Sequence, residues 1–351
     1  MHRGISLTDL ARKIEGNKAL KADYVADARS LSMTVQDDGK VALEASSVGS
    51  LPILPLAHDQ IASKLSIPSR YYDRMLAAAP DLLADNVNRW MSEDSDRRML
   101  RTIGGDLRAF LSDRYHRVEH EEIAEVVLPI LSQVPGIQIV SCEVTDRKMH
   151  IVATTPALQR EVKVGDVVQA GVAISNSEVG LGAVSITPLI YRLKCLNGMK
   201  VNDAAMRRSH VGRRLDENEN LNALFSDETR RADDRALLLK VRDVVRGAID
   251  DAVFGRTVER LTGLTERKIT GDPVKSVEML AKKVGANEDE RGGILRSLIE
   301  GGDLSAWGML NAVTHQAHGA ASYDRSMEFV AAGGAVLDLP ASEWRTILEA
   351  A

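Results

Sequence analysis

The alternation of apolar and polar positions predicts short strands in the first half of the chain and helices in the second. A helix is expected directly after Ser6, because Ser6 and Asp9 resemble a capping box before an apolar helical face. Two alternating runs, 30–35 and 41–45, are joined by Asp-Asp-Gly. This pattern is typical of a β-hairpin.

From His58 to about Trp90 the spacing of apolar positions becomes helical, and Pro68 is expected to begin a new helix. Residues 60–70 have the cadence of a helix-turn-helix motif that reads DNA. Any two helices that pack at a sharp angle produce the same cadence, so an ordinary helix pair is the alternative.

A second hairpin is predicted over 98–103 and 107–111, and a helix follows over 119–131. The clearest strands of the chain come next and are rich in Val and Ile; they cover 137–144, 149–154, 166–174 and 183–187. Turn residues separate these strands, which favours a mostly antiparallel sheet.

The residues after this sheet allow two interpretations. Thr187 and Pro188 suit the first positions of a helix, and apolar residues recur at helical spacing up to Leu196, which favours a helix. A hairpin that turns at Asn197-Gly198 is the alternative.

Beyond Asp216 the pattern is almost wholly helical. The fold class predicted is therefore α+β, with a central, mostly antiparallel sheet flanked by helices and a helical C-terminal region. With 351 residues, two or three packed units are expected. We place them at 1–118 (α/β region with a helix pair), 119–216 (central sheet with a basic segment) and 217–351 (helical region).

Composition narrows the classes of protein. The hydrophobic fraction of 44% and the charged fraction of 27% are those of a chain that folds by itself. Two distant cysteines indicate neither a disulfide framework nor a zinc site, which favours a reducing, cytoplasmic compartment. No stretch is apolar enough for a signal peptide or a membrane span, so no membrane partner is expected.

The net charge of −5 excludes a uniformly cationic protein, yet one basic stripe, residues 192–214, has a local charge of +6. Its cations are Arg192, Lys194, Lys200, Arg207, Arg208, Arg213 and Arg214. Such a stripe suits the phosphates of a nucleic acid. The alternative is a solvated segment that pairs with the acidic residues 216–219.

A second group of cations lies around Arg108 and Arg114, with Phe110 and Tyr115 between them. Aromatic residues among arginines are typical of single-strand binding, because bases stack on the rings. The alternative, which we favour, is that Phe110 belongs to the core and the arginines pair with nearby aspartates.

Histidines occur at metal-ligand spacing in two pairs, His116 with His120 and His315 with His318. Neither pair forms the H-E-x-x-H motif, and a hydrolytic metal centre would require the pairs to meet in the fold. Phosphate-binding loops of ATPases, dinucleotide fingerprints and nucleophile elbows are missing from the sequence. We therefore expect no cofactor, assign no catalytic residue and do not favour an enzyme.

Four stretches resemble one family of phage- and plasmid-borne proteins, grouped as domain of unknown function 932. They are 65–75, 108–115, 175–180 continuing to 192–199, and 307–314. The resemblance implies a mobile-element context and supplies no catalytic residues. Asn176, Ser177, Glu178, Arg192 and Asn197 fall within these stretches, whereas Arg207 to Arg214 do not.

Together these features predict a non-ATPase protein that binds nucleic acid, with single-stranded DNA favoured. An oligomeric annealing protein of phage-type recombination fits them. One alternative is a metal-dependent nuclease or hydrolase built on the histidine pairs. Another is a factor that binds an acidic host protein without catalysis.

Overall fold

The computed structural model describes residues 2, 4–115, 117–182, 184–201 and 227–351. Within these ranges the chain consists of helices and antiparallel sheets, with helices alone from residue 227 onward. This arrangement confirms the α+β class predicted from the sequence. In the described part of the chain, none of the helices combines the length and apolar character needed to span a membrane.

The N-terminal elements agree with the predicted helices and hairpins. The helices are α1 (Leu7–Leu20), α2 (Pro55–Lys64), α3 (Ser69–Ala78) and α4 (Pro80–Glu93). The strands are β1 (Lys21–Asp27), β2 (Leu31–Val35), β3 (Val41–Ala45), β4 (Gly49–Pro52), β5 (Arg97–Ile103) and β6 (Asp106–Ser112). Helix α1 begins where expected because the Ser6 side chain accepts a hydrogen bond from the Asp9 N–H at 3.1 Å.

These strands form two three-stranded antiparallel sheets, one in the order β2-β3-β4 and one in the order β1-β5-β6. Their apolar residues share a core with α2, α3 and α4, in which Leu43, Ile61 and Phe110 are fully buried. Strand β1 follows α1 directly and pairs with β5. It thereby connects the N-terminal helix to the β5–β6 hairpin, which is far away in sequence.

Helix α5 (His120–Ser132) leads into a curled five-stranded antiparallel sheet. Its strands are β7 (Gln138–Val144), β8 (Met149–Lys163), β9 (Asp166–Asn176), β10 (Ser185–Arg192) and β11 (Asn197–Lys200). The order β11-β10-β9-β8-β7 follows the sequence in reverse. The sheet predicted from the Val- and Ile-rich runs is thus confirmed.

The helix favoured for residues 187–196 is wrong, because these residues continue β10 and turn into β11. Strand β10 lies between β9 and β11 and is buried on both faces, so its adjacent apolar residues imitate helical spacing. Pro188 is tolerated because the last residue of β11, Lys200, pairs with Leu189. No residue of β11 therefore lies opposite Pro188 and needs its missing N–H. The turn occupies 193–196 and precedes Asn197-Gly198.

The remaining helices are α6 (Asp227–Ala248), α7 (Asp251–Glu266), α8 (Pro273–Lys283), α9 (Glu288–Gly301), α10 (Ala306–His315), α11 (Tyr323–Leu337) and α12 (Ala341–Leu348). One apolar cluster joins the five-stranded sheet to α7 through α12. A second joins the sheet to α1, α5 and α6. The division into units at 118 and 216 stays a prediction.

Candidate functional site

Glu178 lies two residues beyond β9 and carries a carboxylate that is only 2% exposed. It accepts hydrogen bonds from Lys21 Nζ at 2.5 Å, from Arg108 Nη1 at 2.8 Å and from the backbone N–H of His120 at 2.7 Å. Strands β1 and β6 and the first turn of α5 therefore converge on one side chain.

A buried arginine extends this group of charges. Arg101 on β5 is 1% exposed and donates to Asp23 Oδ1 at 2.8 Å, to Glu119 Oε1 at 2.5 Å and to the backbone oxygen of Glu178 at 2.6 Å. Arg117 also donates to Asp23. We call the whole set the Glu178 cluster: Lys21, Arg101, Arg108 and Arg117 with Asp23, Glu119, Glu121 and Glu178. Its formal charges balance.

The protonation states follow from burial and from these partners. Burial alone would raise the pKa of Glu178, but His120, the Lys21 ammonium and the backbone N–H of His120 outweigh it and hold that pKa well below the ordinary value. Burial alone would lower the pKa of Lys21, but contact with Glu178 raises it. Burial lowers the pKa of His120 to about 4, so its ring is neutral at pH 7. Glu178 and Lys21 are therefore charged at neutral pH, whereas burial and the neighbouring Glu178 carboxylate raise the pKa of Glu119.

Three of these carboxylates, Glu119, Glu121 and Glu178, have oxygens close enough together to bind one metal ion. The Lys21 ammonium already contacts all three, at 3.2, 3.0 and 2.5 Å respectively. An internal cation thus takes the position that a metal would occupy. This arrangement joins β1 to the first turn of α5 and to the residues after β9.

A second buried group lies at the other end of the sheet. Arg192 makes two hydrogen bonds to Asp166, Nε to Oδ1 at 2.6 Å and Nη2 to Oδ2 at 2.7 Å. Trp307 Nε1 donates to the same Asp166 Oδ2 at 3.0 Å, and the guanidinium lies over the Trp307 ring at 5.5 Å. Arg192, the first cation of the stripe, is therefore already paired inside the protein.

Other polar residues of the family-like stretches also form hydrogen bonds with distant parts of the chain. Asn197 Nδ2 donates to Thr314 Oγ1 at 2.5 Å, which joins β11 to α10. Asn176 Nδ2 donates to the backbone oxygen of Val118 at 2.8 Å and lies 2.9 Å from the His120 ring. These residues fix how the sheet meets its helices.

The other residues of the stripe have different settings. Lys194, in the turn between β10 and β11, is exposed. Lys200, at the end of β11, is half-buried, and burial together with Lys148 lowers its pKa to about 8. The four arginines Arg207, Arg208, Arg213 and Arg214 lie outside the described residues.

The second predicted group is mostly interior. Phe110 is fully buried, as its interpretation as a core residue requires. Arg108 pairs with Glu178, and Tyr115 is half-buried with its hydroxyl donating to the backbone oxygen of Ser177 at 3.1 Å. Arg114 is exposed.

Neither histidine pair belongs to a metal-ligand cluster among the residues described. His120 is buried against Asn176, and His116 lies outside the described residues. His315 and His318 lie side by side with ring centroids 5.1 Å apart, and His318 Nε2 contacts the backbone oxygen of Cys195 at 2.9 Å.

Sequence reasoning missed Lys21, Asp23, Glu119 and Asp166 as members of these buried groups. Lys21 and Glu178 are 157 positions apart, so no local spacing could have paired them. The signal available in the sequence was a charged residue next to a run of apolar residues. Asp166, for example, stands at the start of a Val-rich strand and is 1% exposed.

The family model described as Domain of unknown function (DUF932) matches residues 109–327. This range runs from within β6 to within α11 and includes Glu178, Arg192 and Trp307. The search of curated proteins found no match, and neither did the search of solved structures.

Proposed function

Because the chain belongs to the DUF932 family, whose description assigns no activity, we propose its function from its own charges: it binds nucleic acid, preferably single-stranded, without ATP hydrolysis. The observation that carries the proposal is the position of the arginine-rich residues 207–214. They follow β11, an edge strand of the five-stranded sheet, by only a few residues.

The internal ion pairs determine which of the described cations can contact a nucleic acid. Arg192 and Arg108 are paired with buried carboxylates, and Arg101, itself buried, is paired with the half-buried Asp23, so binding a ligand would require these pairs to break. Lys194 is exposed and has no acidic partner among the described residues. Lys200 likewise has no acidic partner among the described residues, so the proposed phosphate contacts are Lys194 and Lys200 with Arg207, Arg208, Arg213 and Arg214.

We favour single strands because a basic segment can follow the exposed phosphate backbone of a single strand, and annealing two strands requires no covalent chemistry. An annealing role in the recombination of a phage or other mobile element, in a bacterial cytoplasm, extends this proposal. It would require assembly of several copies along the strand. A nuclease or a factor that binds an acidic protein remains the competing class.

The test is fluorescence anisotropy of labelled oligo-dT, duplex DNA and oligo-U, each titrated with protein at several salt concentrations. For the wild-type protein we expect binding that weakens steeply as salt increases. Arg207→Ala/Arg208→Ala should reduce the log–log salt slope by about 1.4, since each single-strand phosphate contact contributes about 0.7.

The matched control is Arg70→Ala/Arg74→Ala, which removes two exposed arginines from α3. It should leave the slope unchanged, and it also tests the helix-turn-helix interpretation. Absence of binding at low salt would contradict the proposal. Equal losses in the two double variants would show that the arginine-rich segment has no special role.

A further inference from the structure

We propose that two copies of this chain form a dimer by pairing their β1 strands along an open sheet edge. Strand β1 lies at one end of the order β1-β5-β6, and in the described part of the chain it is paired only with β5. We call the other side of this strand, over residues 21–27, the β1 edge. The inference is independent of the proposed function, because strand pairing requires no nucleic acid.

The register shows which backbone groups of β1 point away from β5. The Gly104 N–H donates to the Leu20 oxygen and the Ala28 N–H donates to the Asp96 oxygen, each at 3.0 Å. In an antiparallel pair, residues that exchange hydrogen bonds alternate with residues that do not, so the even-numbered residues of β1 bond to β5. The N–H and C=O groups of residues 21, 23, 25 and 27 therefore point outward.

The β1 edge is open and regular. Among the described residues its outward groups have no partner, except that the Asp27 oxygen accepts a hydrogen bond from Ser30 Oγ at 2.7 Å. The strand contains neither Pro nor Gly, and its pairing with β5 has no bulge over seven residues. The apolar side chain of Val25, near its middle, is 42% exposed. Such an edge is a template for another strand.

The chain closes comparable edges elsewhere. At the edge of β2, the Asn88 side chain accepts from the Met33 N–H at 2.6 Å and donates to the Met33 oxygen at 2.9 Å. At the edge of β7, the Ile5 N–H donates to the Cys142 oxygen at 2.9 Å. Since unpaired edges promote association, an edge left open beside closed ones indicates a contact with another chain.

The charged side chains of β1 do not protect this edge by repulsion. Lys21 and Asp23 belong to the Glu178 cluster, whose formal charges balance. Asp27 pairs with Arg29. A strand that approaches the β1 edge therefore meets little net charge.

A second copy of the chain fits the β1 edge because β1 is complementary to itself. In an antiparallel pair centred on Tyr24, all seven residues overlap, outward groups meet outward groups, and Lys21 lies opposite Asp27 of the second copy. Moving the centre by one residue to either side places Asp23 opposite Asp23 or opposite Asp27. Like charges directly opposite each other are unfavourable, so the charges favour the full-length register.

This register makes one six-stranded sheet of order β6-β5-β1-β1-β5-β6 across the two copies. The contact uses the same strand of each copy and is related by a two-fold axis between the two Tyr24 residues. A contact of this kind closes on itself, so assembly through β1 stops at two copies.

The first experiment measures the mass of the full chain in solution by sedimentation velocity at increasing protein concentration. Val25→Pro removes an outward N–H from each copy and leaves the hydrogen bonds to β5 in place. The matched control Val25→Thr keeps that N–H and a β-branched side chain. We expect dimers for wild type and Val25→Thr, and a dissociation constant raised by about tenfold for Val25→Pro, because two hydrogen bonds are lost per dimer.

A second experiment tests the register by disulfide formation in a Cys195→Ser background, where the remaining cysteine, Cys142, is buried. In the full-length register the two Tyr24 Cα atoms lie roughly 4.5 Å apart, as in a non-hydrogen-bonded pair, and a disulfide can join them. Tyr24→Cys should therefore give a covalent dimer on mild oxidation. Ala26→Cys is the control, since its two copies lie four positions apart along the strands, roughly 13 Å, and should not join.

A wild type that stays monomeric at all concentrations would overturn the inference, and the β1 edge would then pair with another segment of the chain or with a different protein. A dimer that is as stable in Val25→Pro as in Val25→Thr uses another surface and would overturn it too. Equal cross-linking of Tyr24→Cys and Ala26→Cys would refute the register. Absence of oligo-dT binding would contradict the proposed function and leave the dimer untouched.

Discussion

Glu178→Gln tests whether the Glu178 cluster holds the N-terminal strands against the five-stranded sheet. The substitution keeps the shape of a side chain that is 2% exposed, but it removes the charge facing Lys21 and Arg108. Of the two glutamine head-group atoms, only the oxygen can accept a hydrogen bond, so one buried donor loses its acceptor. Removing one partner from a buried ion pair typically costs about 3 to 5 kcal/mol.

We take about 3 kcal/mol, because Lys21 keeps its contacts with Glu119 and Glu121. In a chain of this length that loss corresponds to a melting temperature lowered by about 4 °C. The assay is thermal unfolding followed by circular dichroism, with urea unfolding as a second measure.

The control is Glu93→Gln, which breaks an exposed pair with Arg89 and should cost less than about 0.5 kcal/mol. Lys21→Met/Glu178→Gln supplies a double-mutant cycle. It removes one charge of each sign, so its loss should be smaller than the sum of the single losses by more than about 1 kcal/mol. If Glu178→Gln is no more harmful than Glu93→Gln, the Glu178 cluster does not hold these segments together.

Two further outcomes follow from the same structure. A Cβ on Gly334 would lie 1.9 Å from the Lys200 backbone oxygen, so Gly334→Ala should lower stability by about 2 kcal/mol. Gly263→Ala, at a helical glycine with nothing within 4 Å, should instead stabilise by about 0.5 kcal/mol; reversed signs in urea unfolding would refute this packing. Because the pKa of Glu178 is lowered on folding, its contribution is present above the unfolded value of 4.5 and is lost as pH falls below it. Melting temperature between pH 7 and pH 3 should therefore fall less for Glu178→Gln than for the wild type, and parallel curves would contradict this assignment.

Elements with local signals were predictable from the sequence. Helix α1 begins at Leu7 because Ser6, the residue before it, caps the N–H of Asp9 three residues later, and the β2–β3 hairpin turns at Asp38-Gly39. The prediction failed at β10 because burial of that strand depends on β9 and β11, which are separate segments. A strand apolar on both faces and a short apolar helix have the same local pattern.

The candidate sites were less predictable, for a related reason. The charge at 192–214 was visible in sequence, but whether each cation is available depends on distant partners. Arg192 is paired with Asp166, 26 positions earlier, and Lys200 has no acidic partner among the described residues. Each residue adds one positive charge to the sequence, and only the fold shows that their partners differ.

The family-like stretches are therefore better evidence for fold than for a ligand. Glu178, Arg192 and Asn197 all lie within them, and all three use their polar groups on other parts of the chain. A group that stabilises the fold in this way can contact a ligand only if its internal bond breaks, which costs several kcal/mol when the pair is buried. Binding should therefore depend on cations that folding leaves without partners, such as Lys194 and Lys200, and a binding loss in Arg192→Ala should accompany a loss of stability.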